Sequence, residues 1–175
     1  MKWVWIVLGV LASVVAGAAL IGALLPREHR ASSQVTLRQS PESVWTVVRD
    51  LGRLPAFWSD LKATERLPDQ NGNEAWAHTM KSGYRMPLEV MESTPPRRLV
   101  TRIASPPGAP FGGSWIYEIE AADGGSRITV TEQGWIANPV FRFVARVTGY
   151  YGTLDSYLTA LGRRFGEEIR PVHVL

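Results

Sequence analysis

Residues 138–165 read NPVFRFVARVTGYYGTLDSYLTALGRRF. Asn138 offers a side-chain cap, and Pro139 suits the first helical turn. Val140, Val144, Val147, Tyr151, Leu154, Leu158, Leu161 and Phe165 then follow in steps of three and four, the spacing of a buried helix face. One long C-terminal helix is expected, with Arg142, Arg146, Arg163, Arg164, Glu167 and Glu168 on its solvated side. Gly149 and Gly152 each cost about 1 kcal/mol relative to Ala in a helix, which predicts a kink between them.

Upstream of this helix the period changes from helical to two. Strand-like runs are read at 61–67, 74–80, 84–92, 97–104, 113–120 and 126–136. Their separators carry turn chemistry: Pro68-Asp69-Gln70-Asn71-Gly72, Lys81-Ser82-Gly83, Thr94-Pro95-Pro96, a Pro/Gly-rich stretch over 105–112, and Asp123-Gly124-Gly125. Such short connections imply consecutive hairpins and an antiparallel sheet. Before them, Ser33–Arg38 alternates as a first strand. Ser40-Pro41-Glu42-Ser43 then starts a helix whose stripe is Val44, Trp45, Val47, Val48 and Leu51. Leu54-Pro55-Ala56-Phe57-Trp58 continues as an apolar turn.

At the other end, Trp3 to Leu25 contains no charged side chain. A helix of that length reaches about 34 Å, enough to cross a hydrocarbon core of ~30 Å. Trp3 and Trp5 suit the headgroup level, and Pro26 stops the helix before Arg27 and Arg30. The expectation is a single transmembrane anchor over 1–26 and a linker over 27–33. The rival is a signal peptide cleaved after Ala16-Gly17-Ala18. Arg27, Arg30 and Arg38 against Lys2 tilt the following domain slightly toward the cytoplasm; the side is otherwise open. Gly9, Ser13 and Gly17 form a small-residue stripe that offers weak self-association, or is the ordinary small-residue content of a membrane helix.

Composition excludes several chemistries. The 175 residues hold one domain plus an accessory segment, and they include no Cys. A disulfide scaffold, a thiolate metal site and a cysteine nucleophile are therefore ruled out. His29, His78 and His173 lack ligand-like spacing, so no metal is expected. No phosphate-cradling loop or Ser-His-Asp pattern occurs, so no cofactor is expected either. A charge balance of 19 basic against 16 acidic residues gives no nucleic-acid signature.

Strand, short helices, six antiparallel strands and a long terminal helix form a specific order. It resembles the α+β helix-grip fold of the START, pollen-allergen and polyketide cyclase/dehydrase superfamily, often called SRPBCC. Ser40–Trp45 with Asp50-Leu51 and Leu54–Trp58 resembles its opening helix pair. Gly113–Tyr117 resembles its penultimate strand, and Glu132-Gln133-Gly134 with Asn138–Arg142 resembles its last strand and helix start. The resemblance assigns 34–170 to such a domain and implies a curved sheet wrapped around the terminal helix. It further implies an internal cavity for a lipid or an aromatic small molecule.

Strand alternation selects the inner face. Polar Arg127, Thr129, Thr131 and Gln133 point outward, which turns Ile128, Val130 and Glu132 inward. The same reasoning turns inward Trp115, Tyr117 and Ile119; Leu99, Thr101 and Ile103; Met86, Leu88 and Val90; and Trp76, His78 and Met80. The candidate cavity residues are Phe57, Trp58, Trp76, Met86, Leu88, Thr101, Phe111, Trp115, Tyr117, Glu132, Tyr151 and Leu154. Glu132 on an apolar face either binds a polar headgroup or acts as a base, or lies near the strand end in solvent or beside an arginine. His78 is a second catalytic candidate or a hydrogen-bonded structural histidine. Phe57-Trp58 and Phe111 sit in loops, as a cavity lip, an interfacial contact or a packed cluster. The leading reading is a membrane-anchored domain that binds or transports a hydrophobic molecule. The alternatives are a cofactor-independent cyclase or dehydrase and an interaction scaffold with a vestigial cavity.

Overall fold

The computed structural model describes residues 2–174. Helix α1 spans Lys2–Leu24, strand β1 Glu28–Leu37, helix α2 Pro41–Arg49 and a 3-10 turn Leu51–Ala56. Six strands follow: β2 (Leu61–Gln70), β3 (Asn73–Met80), β4 (Arg85–Thr94), β5 (Arg98–Ile103), β6 (Phe111–Ala122) and β7 (Gly125–Ile136). Helices α3 (Pro139–Thr148) and α4 (Gly152–Arg164) and a short β8 (Val172–Val174) complete the described chain. The strands form one sheet in the order β2-β3-β4-β5-β6-β7-β1-β8. All its pairs are antiparallel, as hairpins dictate.

Local chemistry fixes the element ends. Ser40 Oγ accepts from the Ser43 backbone N–H at 3.3 Å, and Asn138 Oδ1 accepts from the Phe141 N–H at 3.2 Å. Both caps precede a proline at the first helical position, where no amide hydrogen is missed. The core lies between the concave sheet face and α2, the 3-10 turn and α4. Val44, Val48, Leu51 and Leu54 meet Leu154, Tyr157, Leu158 and Leu161 over Leu37, Leu99, Ile128 and Val130, all essentially without exposure. The helix-grip arrangement expected from the sequence is present.

Four features depart from the sequence reading. The segment 27–33, expected as linker, is strand from Glu28 onward and pairs with β7 up to Trp135. The expected single terminal helix is two helices rather than one kinked rod. Gly149 takes φ +86°, a left-handed conformation that suits glycine, and its N–H closes α3 on the Ala145 carbonyl at 2.9 Å. After the break the helical phase restarts, so Leu154, Leu158 and Leu161 are buried while Val144 and Val147 are exposed. Arg142 and Glu167, expected on a solvated face, are both buried. Glu167 lies beyond the end of α4 and accepts the Arg38 backbone N–H at 3.1 Å.

Helix α1 is long and apolar enough to cross a membrane. Its final turn packs on α3. Gly22 is buried there, and a Cβ at that position would overlap the Pro139 carbonyl. Arg142 donates through Nη1 to the Leu25 carbonyl at 2.8 Å, placing a cation at the negative end of the α1 dipole. Gly9 and Ser13 are exposed farther up α1.

Candidate ligand-binding cavity

The concave face does not fill completely. Toward the Phe111 and Ile136 ends of β6 and β7, α4 gives way to the glycine break and α3, leaving a cavity of about 650 Å³. That volume falls within the ~300–1,000 Å³ typical of small-molecule sites. Inward residues of six strands supply its wall, including Met80, Met86, Leu88, Ile103 and Trp115. Among the lining residues, Tyr84, Pro110, Phe141 and Gly149 are exposed and mark the mouth.

Eight of the twelve residues expected at the cavity line it: Trp58, Met86, Leu88, Thr101, Phe111, Trp115, Tyr117 and Glu132. Trp58 is buried in the floor. Its ring lies 5.8 Å from Trp115 and 5.3 Å from Tyr157, and its Nε1–H donates to Ser156 Oγ at 3.1 Å. Phe111 opens β6 rather than sitting in a loop, and stacks obliquely on Tyr84 at 5.5 Å beside the mouth.

Four expected residues lie elsewhere. Phe57 packs against Tyr157, and Leu154 is sealed in the core. Trp76 has the inward register but sits beside Gly52 of the 3-10 turn, its Nε1–H donated to Glu74 at 2.6 Å. Tyr151 stacks on His173 of β8 at 3.7 Å. Its neighbour Tyr150 turns to the cavity instead, because the break at Gly149 shifts the phase of the chain.

Glu132 is neither solvated at a strand end nor beside an arginine. Its Oε1 lies 2.9 Å from His29 Nε2, and its Oε2 accepts the Trp115 indole N–H at 3.0 Å. Two neighbouring donors satisfy a carboxylate that would otherwise be costly on an apolar face. His29 comes from the strand segment that the sequence reading left as linker; strand alternation continued backward from Val35 through Ser33 and Ala31 would have found it. The imidazole stacks on Tyr150 at 4.2 Å and crosses Gly134, where a Cβ would stand 2.5 Å from its Cε1. Its Nδ1 is buried without a partner.

His78 also lines the cavity, but it is not the hydrogen-bonded histidine of the structural reading. Its Nε2 is buried and unpartnered, and burial pushes its pKa down to about 4. The ring is therefore neutral near pH 7. Tyr117 and Tyr157 are held well above the ordinary phenol range by burial, Tyr157 further by its neighbour Tyr117, and both remain protonated.

Another polar grouping stands outside the cavity. Asp155 accepts from Ser33 Oγ at 2.7 Å and contacts His173 Nε2 at 2.8 Å. The carboxylate sits between serine and histidine, so the imidazole does not serve as base to that hydroxyl. Among the described residues no group of three His, Asp or Glu side chains is placed to hold a metal ion.

A curved antiparallel sheet gripping α4, with an apolar hollow at one end, defines a helix-grip domain of the SRPBCC type. The chain belongs to the polyketide cyclase / dehydrase and lipid transport family, whose profile matches residues 28–164. A Thermus thermophilus protein, TTHA0849, superposes with a TM-score of 0.63 at 16% identity, over 78% of this chain and 96% of that one. A START superfamily protein from Mycobacterium smegmatis gives 0.60 at 17% identity, over 78% and 96%. The di-domain ARO/CYC StfQ of the steffimycin biosynthetic pathway gives 0.59 at 11% identity, over 79% of this chain and 52% of that one. These identities carry the fold alone. No curated protein matches the sequence.

Proposed function

We propose that this protein is a membrane-anchored domain that holds or passes a hydrophobic small molecule or lipid in its internal cavity. The observation that carries the reading is the cavity of about 650 Å³, walled mainly by apolar side chains and bearing a compact polar station, Glu132 with His29 and Trp115. Burying about 100 Å² of apolar ligand surface there contributes about 2.5 kcal/mol. The polar station then orients whichever end of the ligand carries a hydrogen-bonding group. Helix α1 supports anchoring by its length and composition. Anchoring suits such cargo, because it raises the effective concentration of the site near a lipid source. Arg27 and Arg30 beyond α1 favour a cytoplasmic domain.

Filling the cavity tests this reading. Ile103→Trp on the wall should abolish uptake of the fluorescent probe N-phenylnaphthylamine by the detergent-solubilised full chain, while its thermal midpoint stays unchanged or rises. Full probe binding by a folded Ile103→Trp protein would contradict it.

A second reading, a cofactor-independent cyclase or dehydrase, draws on the contact between an imidazole and a carboxylate inside the cavity. Paired in this way, His29 and Glu132 could relay a proton to or from a bound carbonyl compound. Turnover of a polyketide-type substrate that Glu132→Gln abolishes without loss of binding would favour it over carriage.

A further inference from the structure

Helix α3 has an apolar arc that its own domain does not cover. At 100° per residue, Val140, Phe141, Val144 and Val147 fall on one side and Arg142 and Arg146 on the other. Phe141 is 60% exposed, Val144 46% and Val147 69%. From Asn138 to Leu154 there is no acidic residue. Exposed apolar side chains on three successive positions along one face of a short helix are unusual for a surface that faces water.

The position of α3 identifies what covers it. The last turn of α1 is fixed to the first turn of α3, by Gly22 against Pro139 and by Arg142 on the Leu25 carbonyl. Ala18 and Ala19 of α1 are half-buried, so the contact runs back up the apolar helix. If α1 crosses a bilayer, α3 starts at the depth where α1 leaves the hydrocarbon. Arg27, just past α1, and Arg146, in the last turn of α3, are exposed, and they carry the charge that anionic headgroups attract. Phe141 and Ala145 of the same helix line the cavity, and Phe141 shares the mouth with Tyr84, an aromatic suited to the interface.

We propose that α3 lies in the headgroup–acyl boundary beside α1, with Val144 and Val147 in lipid, so that the cavity mouth opens onto the bilayer and not onto water. This rests on the reading of α1 as a membrane anchor. It narrows the ligand class to amphiphiles that already partition into a membrane and reach the cavity laterally past Phe141. Apolar burial and anionic-lipid attraction act together in such interfacial helices.

The chain contains no cysteine, so single labels can be placed without a background. Val144→Cys, Val147→Cys and Asp123→Cys, the last on the exposed β6–β7 hairpin at the far end of the sheet, would each carry a nitroxide on the full-length protein. The proteins would be reconstituted in phosphatidylcholine–phosphatidylglycerol vesicles, and flotation measured first. The expected result is flotation of all three. The labels at 144 and 147 should collide several-fold more with oxygen than with a water-soluble nickel chelate, and the label at 123 should show the reverse. Floating protein whose labels at 144 and 147 meet nickel as readily as the one at 123 overturns the proposal and leaves the anchor intact. Dipolar broadening between labels at 147 would show a second copy on this face and also overturn it. Failure to float removes the anchor and this inference together.

Discussion

His29 and Glu132 lie 103 residues apart in sequence and meet across the β1–β7 pair, with Nε2 2.9 Å from Oε1 inside a mostly apolar cavity. Glu132→Gln keeps the shape and removes the charge. A hydrogen bond to a charged group is worth about 1.5–3 kcal/mol, so affinity for an amphiphile with a polar head should fall about 10-fold or more. Affinity for a purely apolar probe should stay the same. Competitive fluorescence titration of the two ligand types checks this; an equal loss for both would assign Glu132 a structural role only.

His78 sets a pH dependence whose sign is fixed. Its folded pKa is depressed from 6.5 to about 4, so between those values the unfolded chain binds more protons than the folded one. Stability therefore falls as the pH drops through this window, by up to about 1.4 kcal/mol per pH unit. His78→Phe should remove this contribution and cost little near neutral pH, since Nε2 has no partner to lose. Thermal midpoints of both proteins at about pH 7, 6 and 5, which span the titration of the unfolded histidine, make the comparison. Parallel pH profiles would contradict the assignment.

Tyr157 is fully buried, yet its hydroxyl has no partner. Removing an unsatisfied buried hydroxyl relieves part of a desolvation cost of about 1–3 kcal/mol, so Tyr157→Phe should be neutral or stabilising. Tyr157→Ala removes the ring that touches Phe57, Trp58, Trp115 and Tyr117 and should cost about 3–5 kcal/mol. Denaturation of the two variants provides the measurement, and a clear loss of stability in Tyr157→Phe would point to an unrecognised hydrogen-bond partner.

Gly22 lets α1 close on Pro139 without a side chain between them. Gly22→Val should separate the two helices and loosen the already exposed connection at Arg27. Limited trypsin digestion of the full chain would then cut after Arg27 several-fold faster than in the parent protein. Unchanged cleavage would mean that the α1–α3 contact does not hold the anchor to the domain.

The fold was largely legible in the sequence, because period-two strands and the turn chemistry between them are local signals. The inner-face parity of β3 to β7 follows from polar neighbours such as Arg127 and Thr129, and it turns Met86, Thr101, Tyr117 and Glu132 to the face on which the cavity lies. What was lost lay where a local pattern was carried past a break. Running the helical period through Gly149 put Val144 and Val147 in the core and chose Tyr151 over Tyr150. Stopping β1 at Ser33 hid His29, which the alternation of Val35, Ser33 and Ala31 carries to the inner face once the strand is extended back to Glu28. Arg142 read as solvated because its acceptors, the carbonyls of Leu25 and Ala137, are backbone atoms that no side-chain pattern reports.

Native mass spectrometry of the full chain, released gently from detergent after purification from cells, tests the central claim most directly. The account predicts a population heavier by the mass of one hydrophobic molecule, lost from Ile103→Trp and identifiable in an organic extract. A parent protein that is uniformly unliganded, and that takes up no added lipid or aromatic probe, would contradict it.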